Sequence, residues 1–225
     1  MSDRGGAEIV YGRRPVAEAK RGPRRVRKVW TTADLDAGEL TRLAGSPDHQ
    51  GVVAEVDPYP YAEPDSLFAG PDALVVALDQ VQDPHNLGAV CRSAEAAGAS
   101  VAIPSRRAAL VTAATCKASA GAVEHLAVAR VGNLADWLAR AKKGGAWIYG
   151  AETEAQMPYT EADLTGKVVL VLGSEGSGLR RRVAESCDLM LSIPAAGRVG
   201  SLNVSAAAAV LLFEAVRQRG RDVRA

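Results

Sequence analysis

Residues 168–178, Val168-Val169-Leu170-Val171-Leu172-Gly173-Ser174-Glu175-Gly176-Ser177-Gly178, decide the fold class of this chain. Five consecutive apolar residues predict a strand that is buried on both faces, as the strands of parallel sheets are. The strand runs into a glycine loop, which a predicted helix over 179–186 follows. Such loops, at the carboxyl ends of strands, are where α/β proteins hold ligands. The stretch therefore predicts an α/β fold with a binding site at this loop.

Strands and helices alternate on both sides of this stretch, which predicts a mostly parallel sheet with helices on both faces. The predicted strands are 74–78, 100–103, 125–130, 147–151, 168–172 and 189–193, and the predicted helices are 87–97, 113–121, 134–143, 179–186 and 204–218. Ahead of them, 26–31 and 51–56 are predicted strands and 35–43 a predicted helix. Four prolines in residues 57–72 favour a linker there.

Composition limits the class of protein. The chain has 225 residues, 48% of them hydrophobic and 24% charged, which is typical of one globular domain with or without a small appendage. No apolar run approaches the roughly 20 residues that span a bilayer, and no apolar signal segment begins the chain, so we expect a cytoplasmic protein without a membrane contact. Three separated cysteines and three scattered histidines favour reduced thiols and no metal site.

The charge distribution is uneven. The net charge is only +1, yet residues 1–30 hold nine Lys or Arg side chains against three acidic ones. A basic arm of this kind predicts contact with a polyanion such as RNA, with an affinity that falls as salt rises. The alternative is a solvated tail that binds nothing.

The glycine loop does not match the common nucleotide loops. Its spacing is G-x-x-G-x-G, whereas dinucleotide-binding loops have G-x-G-x-x-G, and no Gly-Lys-Ser/Thr follows as in a P-loop. This disfavours a nicotinamide-dependent oxidoreductase. Glu175 would also repel a pyrophosphate, so the loop suits a neutral or cationic ligand, and a sulfonium cofactor fits that description.

Two further segments carry polar side chains next to predicted helices. Asn86 stands at the expected N-cap of the helix over 87–97, and Arg92 follows six residues later; by themselves they suggest a plain cap and a surface side chain. Ser201, Asn203 and Ser205 crowd the start of the last helix, although one cap needs only one residue. The surplus polar groups suggest a ligand as well as a cap.

Taken together, these segments resemble the three motifs of the SpoU/TrmH family of RNA ribose 2′-O-methyltransferases, a part of the SPOUT superfamily. The resemblance rests on Asn86 to Arg92, on Gly173-Ser-Glu175-Gly-Ser-Gly178-Leu179, and on Ile193-Pro194 to Ser201-Leu202-Asn203-Val204-Ser205. It covers roughly residues 74–220. Segments 83–89, 117–122 and 212–217 are most similar to the branch of the family that methylates a guanosine of 23S rRNA.

The resemblance implies a parallel α/β sheet with a C-terminal trefoil knot that holds S-adenosylmethionine. It also implies a structured RNA as substrate and a homodimer packed through the terminal helices, for which the final helix offers Ala208, Leu211, Leu212 and Ala215. The implied cofactor-binding residues are Leu172, Gly173, Ile193, Ser201 and Leu202, and the implied catalytic residues are Asn86, Arg92, Glu175, Asn203 and Ser205. Arg92 is either the base or a fixed cation, and Glu175 either takes part in catalysis or orients its loop.

The sequence departs from the family at two places. Ala195 replaces the Met that usually follows the Ile-Pro pair, which predicts looser packing on the cofactor. The second departure is the RNA-binding domain expected over 1–60 with the basic arm, which is shorter than that of the family. A linker over 61–72 and a catalytic domain over 73–225 are expected to follow it. Two alternatives stay open: a tRNA methyltransferase of the same family, and an inert RNA-binding module, which the intact Asn86, Arg92, Glu175 and Asn203 disfavour.

Overall fold

The apolar strands assemble into one seven-stranded parallel sheet, as the sequence predicts. The structure is a computed structural model that describes residues 6–197 and 200–220. The strand order is β6-β5-β4-β9-β7-β10-β8, and every pairing is parallel. The strands are β4 Leu74–Asp79, β5 Ser100–Pro104, β6 Val128–Val131, β7 Trp147–Ala151, β8 Met157–Pro158, β9 Val168–Gly173 and β10 Leu189–Ser192.

Helices cover both faces of this sheet, because both faces are apolar. Leu74, Val76 and Leu78 of β4 join one core, whereas Val75 and Ala77 join another. Residues of α3, α4 and α7 pack in the first core, and residues of α5 and α6 pack in the second. The helices are α3 Pro84–Ala97, α4 Ala113–Ala118, α5 Leu134–Lys143, α6 Arg181–Ala184 and α7 Val204–Gln218.

The first part of the chain forms a separate antiparallel sheet with the order β1-β3-β2. Its elements are β1 Glu8–Tyr11, α1 Arg13–Arg21, β2 Val26–Thr31, α2 Ala37–Ala44 and β3 Val52–Val56. Tyr11, Leu40 and Val53 form a small core of their own. Val10 and Val56 belong instead to the core shared with the large sheet.

Residues 6–30, which hold most of the basic side chains of the first segment, are folded, and their contact with RNA stays a prediction. Arg24 is only 5% exposed and forms ion pairs with Glu124 and with Glu8. Arg27 pairs with Asp57. These cations are therefore part of the folded structure and do not form a free arm, and Arg4 lies outside the described residues.

The proline-rich stretch 57–72 contains a 3₁₀ helix, Pro64–Phe68, and its Leu67 is buried. Pro64 stands in the first turn, where its missing N–H removes no hydrogen bond. The indole nitrogen of Trp137 donates to the Pro64 carbonyl over 3.0 Å. The stretch thus packs on the sheet despite its four prolines.

The predicted dimer face on α7 is wrong. Its four side chains are at most 1% exposed, because they pack inside this chain against the large sheet and α3. Phe213, on the outer side of the same helix, is 44% exposed. In the described ranges, no helix is long and apolar enough to cross a membrane.

Candidate functional site

The glycine loop after β9 is a tight hairpin that only glycine permits at its base. A Cβ on Gly173 would lie 2.1 Å from the carbonyl carbon of Gly178. The Gly178 N–H donates to the Ser174 carbonyl, and the hydroxyls of Ser174 and Ser177 are 2.6 Å apart. The hairpin therefore holds Glu175 at an exposed tip.

Asp79 at the end of β4 anchors the chain just after this hairpin. Its carboxylate is fully buried and accepts from the backbone N–H and from the Nε of Arg180, each over 2.8 Å. Sequence reasoning gave Asp79 no role. The available signal was a carboxylate at the end of an otherwise apolar strand, where an unpaired charge would be costly.

Asn86 does not cap α3, contrary to the prediction. The cap is Asp83, whose side chain accepts from the His85 N–H, and Pro84 begins the helix. Since Asp83 fills the capping role, the amide of Asn86 in the first turn is available for other partners.

Three predicted catalytic side chains meet in one hydrogen-bonded cluster, which we call the amide–carboxylate cluster: Asn86, Glu175 and Asn203. Glu175 Oε1 accepts from Nδ2 of Asn86 over 3.1 Å and from Nδ2 of Asn203 over 2.5 Å. The same Nδ2 of Asn203 also donates to Oδ1 of Asn86 over 2.9 Å. The cluster joins the three motif segments, which lie far apart in the sequence.

Asn203 has a second role as the N-cap of α7. Its Oδ1 accepts from the Ser205 N–H over 2.8 Å and from the Ser205 hydroxyl over 2.6 Å. Ser205 therefore contacts the cluster through Asn203. The segment contains both the predicted cap and polar groups beyond it. Asn203 serves both roles, because its oxygen caps α7 and its nitrogen donates to Glu175.

A cavity of about 420 Å³ opens on one side of the cluster, within the usual size range of ligand pockets. It is lined by every residue predicted to bind the cofactor: Leu172, Gly173, Ile193, Ser201 and Leu202. Ala195 lines it too. Glu152 and Glu154, which the sequence does not predict for the site, line the cavity together with Glu175. No Lys or Arg of the described ranges lines it. The cavity suits a ligand that carries positive charge.

A second cavity of about 380 Å³ adjoins the first. It is lined by residues 80–83 and by Asn86, and it shares Ser174, Glu175, Ser177 and Val204 with the first cavity. Glu175 thus lines both cavities. This arrangement can hold one ligand in each cavity, both next to the same carboxylate.

Arg92 lies outside the cluster. It is exposed on α3, about 9 Å further along the helix axis than Asn86 at 1.5 Å per residue. Within residues 6–197 and 200–220, its side chain forms no hydrogen bond or ion pair. The same ranges contain no group of three or more His, Cys, Asp or Glu side chains that could hold a metal ion.

Known proteins share this sequence and fold. Residues 73–213 match the model of the SpoU rRNA Methylase family. The chain is 38% identical to the "Putative TrmH family tRNA/rRNA methyltransferase YacO" of Bacillus subtilis, over 94% of this chain and 96% of that protein. It is 47% identical to the "23S rRNA (guanosine-2'-O-)-methyltransferase RlmB" of Xylella fastidiosa, over 89% of this chain and 81% of that protein.

A solved structure agrees over nearly the whole length. The SpoU methyltransferase AviRb from Streptomyces viridochromogenes, in complex with the cofactor AdoMet, superimposes with a TM-score of 0.79 and 31% identity. The match covers 96% of this chain and 91% of that chain. The similarity therefore includes the N-terminal sheet as well as the large one.

Proposed function

Because the chain belongs to the SpoU rRNA Methylase family, we propose that it methylates the ribose 2′-hydroxyl of a guanosine in 23S rRNA. The chain is an RNA methyltransferase whose cofactor is S-adenosylmethionine. The observation that carries the finer proposal is the amide–carboxylate cluster, whose Glu175 lines two cavities of suitable size. One cavity would take the cofactor and the other the ribose.

The first cavity fits S-adenosylmethionine chemically. Its sulfonium and ammonium groups are cations, and Glu152, Glu154 and Glu175 line the cavity. Any side chain at Gly173 would collide with the hairpin backbone that forms the wall. When bound, the cofactor supplies a methyl group that is already activated, so the protein needs only to position the hydroxyl and manage its proton.

The second cavity would hold the target ribose against the cluster. The amides of Asn86 and Asn203 donate to Glu175 and can orient the sugar. The Ser205 hydroxyl donates to Oδ1 of Asn203 and holds its amide in place. We assign Arg92 the role of a fixed cation that binds the neighbouring phosphate and stabilises the developing alkoxide. A guanidinium keeps its proton and can only donate hydrogen bonds, so this role suits Arg92 better than service as a base.

The same proposal includes a trefoil knot, a homodimer, a division of the chain into domains and a location in the cell. The loops after β9 and β10 line one cavity although β7 lies between those strands, an arrangement compatible with a trefoil knot. A homodimer could use the outer side of α7, where Phe213 is exposed. In this proposal residues 1–60 place the RNA, residues 61–72 connect the two domains, and residues 73–225 catalyse the methyl transfer. The enzyme would work in the cytoplasm, where its substrate is found.

Mapping 2′-O-methyl groups across rRNA and tRNA, in cells with and without the gene, tests the target. We expect the loss of one methyl from a guanosine of 23S rRNA, restored by the wild-type gene. Loss from a tRNA instead would move the target to tRNA. Calorimetry with S-adenosylmethionine covers the inert alternative, because an RNA-binding module without chemistry would show no binding at millimolar cofactor.

A further inference from the structure

The loop between β5 and α4 is tied to the rim of the second cavity. We call residues 105–109 the arginine loop, because it contains Arg106 and Arg107. At one end the Ser105 N–H donates to the Val131 carbonyl, and at the other the Ala109 N–H donates to the Val81 carbonyl, each over 2.8 Å. Val81 itself lines the cavity. The two arginines are therefore held next to the proposed ribose site.

The backbone conformation of two residues indicates that this loop has a function. Arg107 has φ 55° and Gln80 has φ 59°, a left-handed conformation that side chains other than glycine seldom adopt. The two residues stand in the two loops that the Ala109–Val81 hydrogen bond joins. Strain of this kind collects at functional sites, where the surrounding structure maintains it.

The second cavity alone would repel an anion, and the arginine loop supplies the positive charge that an anionic partner needs at its rim. The cavity is lined by the carboxylates Asp83 and Glu175, and no Lys or Arg of the described ranges lines it. A polynucleotide would be repelled there unless nearby cations compensate. Arg106 and Arg107 are exposed, and in the part of the chain that the structure describes neither forms an ion pair, whereas Arg180 and Arg140 do.

We infer that Arg106 and Arg107 bind backbone phosphates of the RNA that flank the target nucleotide and thereby position its ribose at the amide–carboxylate cluster. This inference rests on the proposed function. The arginines contact phosphate, and so they set the register of the RNA without reading its bases. Their contribution should appear in RNA binding, in KM for RNA and in salt dependence.

The test compares R106A/R107A with K143A/K167A, which removes two charges at the opposite, amino end of the same sheet. The probe is transcribed 23S rRNA, measured by equilibrium binding over a salt series and by methyl transfer. We expect R106A/R107A to weaken binding about 10-fold at low salt and to reduce the slope of log K against log salt by about 1 to 2. Its KM for RNA should rise, while kcat at saturating RNA and calorimetric affinity for S-adenosylmethionine stay near wild type.

The outcomes separate the inference from the function it rests on. If wild type binds and methylates the RNA and R106A/R107A matches K143A/K167A in slope and KM, the arginine loop does not contact RNA. A fall in kcat and in cofactor affinity without a change in slope would mean that the double substitution only disturbs the fold, and this too overturns the inference. If wild type neither binds nor methylates the RNA, the proposed function fails together with the inference.

Discussion

Asn203 shows how much one side chain can determine. Its Oδ1 caps α7, while its Nδ2 holds Glu175 and Asn86. A single amide therefore sets both the start of a core helix and the geometry of the proposed ribose site. Stability and turnover should respond differently when only one half of the amide is replaced.

Replacing Asn203 separates the two roles. Asn203→Ser keeps a good capping oxygen but loses the amide donor, so we expect near-normal stability and at least about a 10-fold loss of turnover. Asn203→Ala should also lose about 1 kcal/mol of stability, or about 2–4 °C in Tm. Thermal unfolding and methyl transfer on the same samples measure both. Equal Tm values for the two variants would contradict the capping role.

Arg92 offers the sharpest test of the catalytic assignment. Arg92→Ala should lower kcat by about 100-fold or more at saturating RNA, because a cation next to developing negative charge is lost. Calorimetry should find cofactor binding unchanged, because Arg92 is not among the residues that line the first cavity. Near-normal turnover would refute the assignment. Arg92→Lys keeps the charge without the bidentate fork, and we expect a partial loss.

At the scale of elements, the hairpin after β9 depends on Gly173. Gly173→Ala places a methyl group 2.1 Å from the backbone of Gly178, so the hairpin must open. We expect a loss of about 1–3 kcal/mol in the free energy of unfolding and a large fall in cofactor affinity. Gly132→Ala is the matched control, since its Cβ meets no atom of the described residues within 4 Å. Chemical denaturation and calorimetry give the two readouts.

The end of α7 carries an ionic contribution to stability. Hydrogen bonds from Arg217 and Gln218 lower the pKa of Glu214 to about 2. Because this pKa lies below the unfolded value near 4.3, the stabilisation is present above that value and is lost as pH falls towards 2. Denaturation from pH 6 to pH 2.5 should show a smaller loss in Glu214→Gln than in wild type. Glu185→Gln, at a more exposed ion pair, should leave the profile close to that of wild type.

Local patterns predicted the elements well where propensity and packing agree. The bounds of β2, α5, β7 and α7 are the predicted ones, because an apolar run or an amphipathic face defines each of them. β1 and α1 are not predicted, since β1 has only four residues and the basic residues of α1 conceal the buried Val16 and Ala19. The strand predicted over 125–130 begins only at Val128, because Ala122–His125 forms a 3₁₀ helix.

The resemblance to the SpoU/TrmH motifs predicts Asn86, Glu175 and Asn203 as parts of one site, but not how they meet. The capping role of Asp83 and the ion pair of the buried Asp79 carboxylate depend on how strands and loops align in space. The dimer face on α7 was misjudged for the same reason, because an apolar helix face gives no indication of whether it packs within the chain or against a second copy.

At the scale of the whole molecule, a buried ion pair joins the two sheets. Arg24 precedes β2 and contacts Glu124, which lies beside α4. Tyr59 also joins the two parts, because its hydroxyl donates to the carbonyls of Val123 and Leu126. The small sheet is therefore attached through polar contacts that are buried and satisfied.

Removing both partners of this pair should cost less than the two single removals added together. Arg24→Ala leaves Glu124 buried without its cation, and we expect a loss of about 3–5 kcal/mol. Arg24→Ala/Glu124→Ala should lose less than the sum of the single variants, because neither buried charge is then left alone. Denaturant unfolding of the four proteins completes the cycle. Additive losses would contradict a direct interaction.

The carboxylate that the two cavities share also bears on inhibitor design. A molecule that fills both cavities must pass Glu175, since this residue lines each of them. A linker with a protonated amine at that point would be attracted to the carboxylate, whereas an anionic phosphodiester linker would be repelled. Compounds that join a cofactor-like half to a nucleoside-like half through a cationic bridge are therefore the chemotype that this site would select.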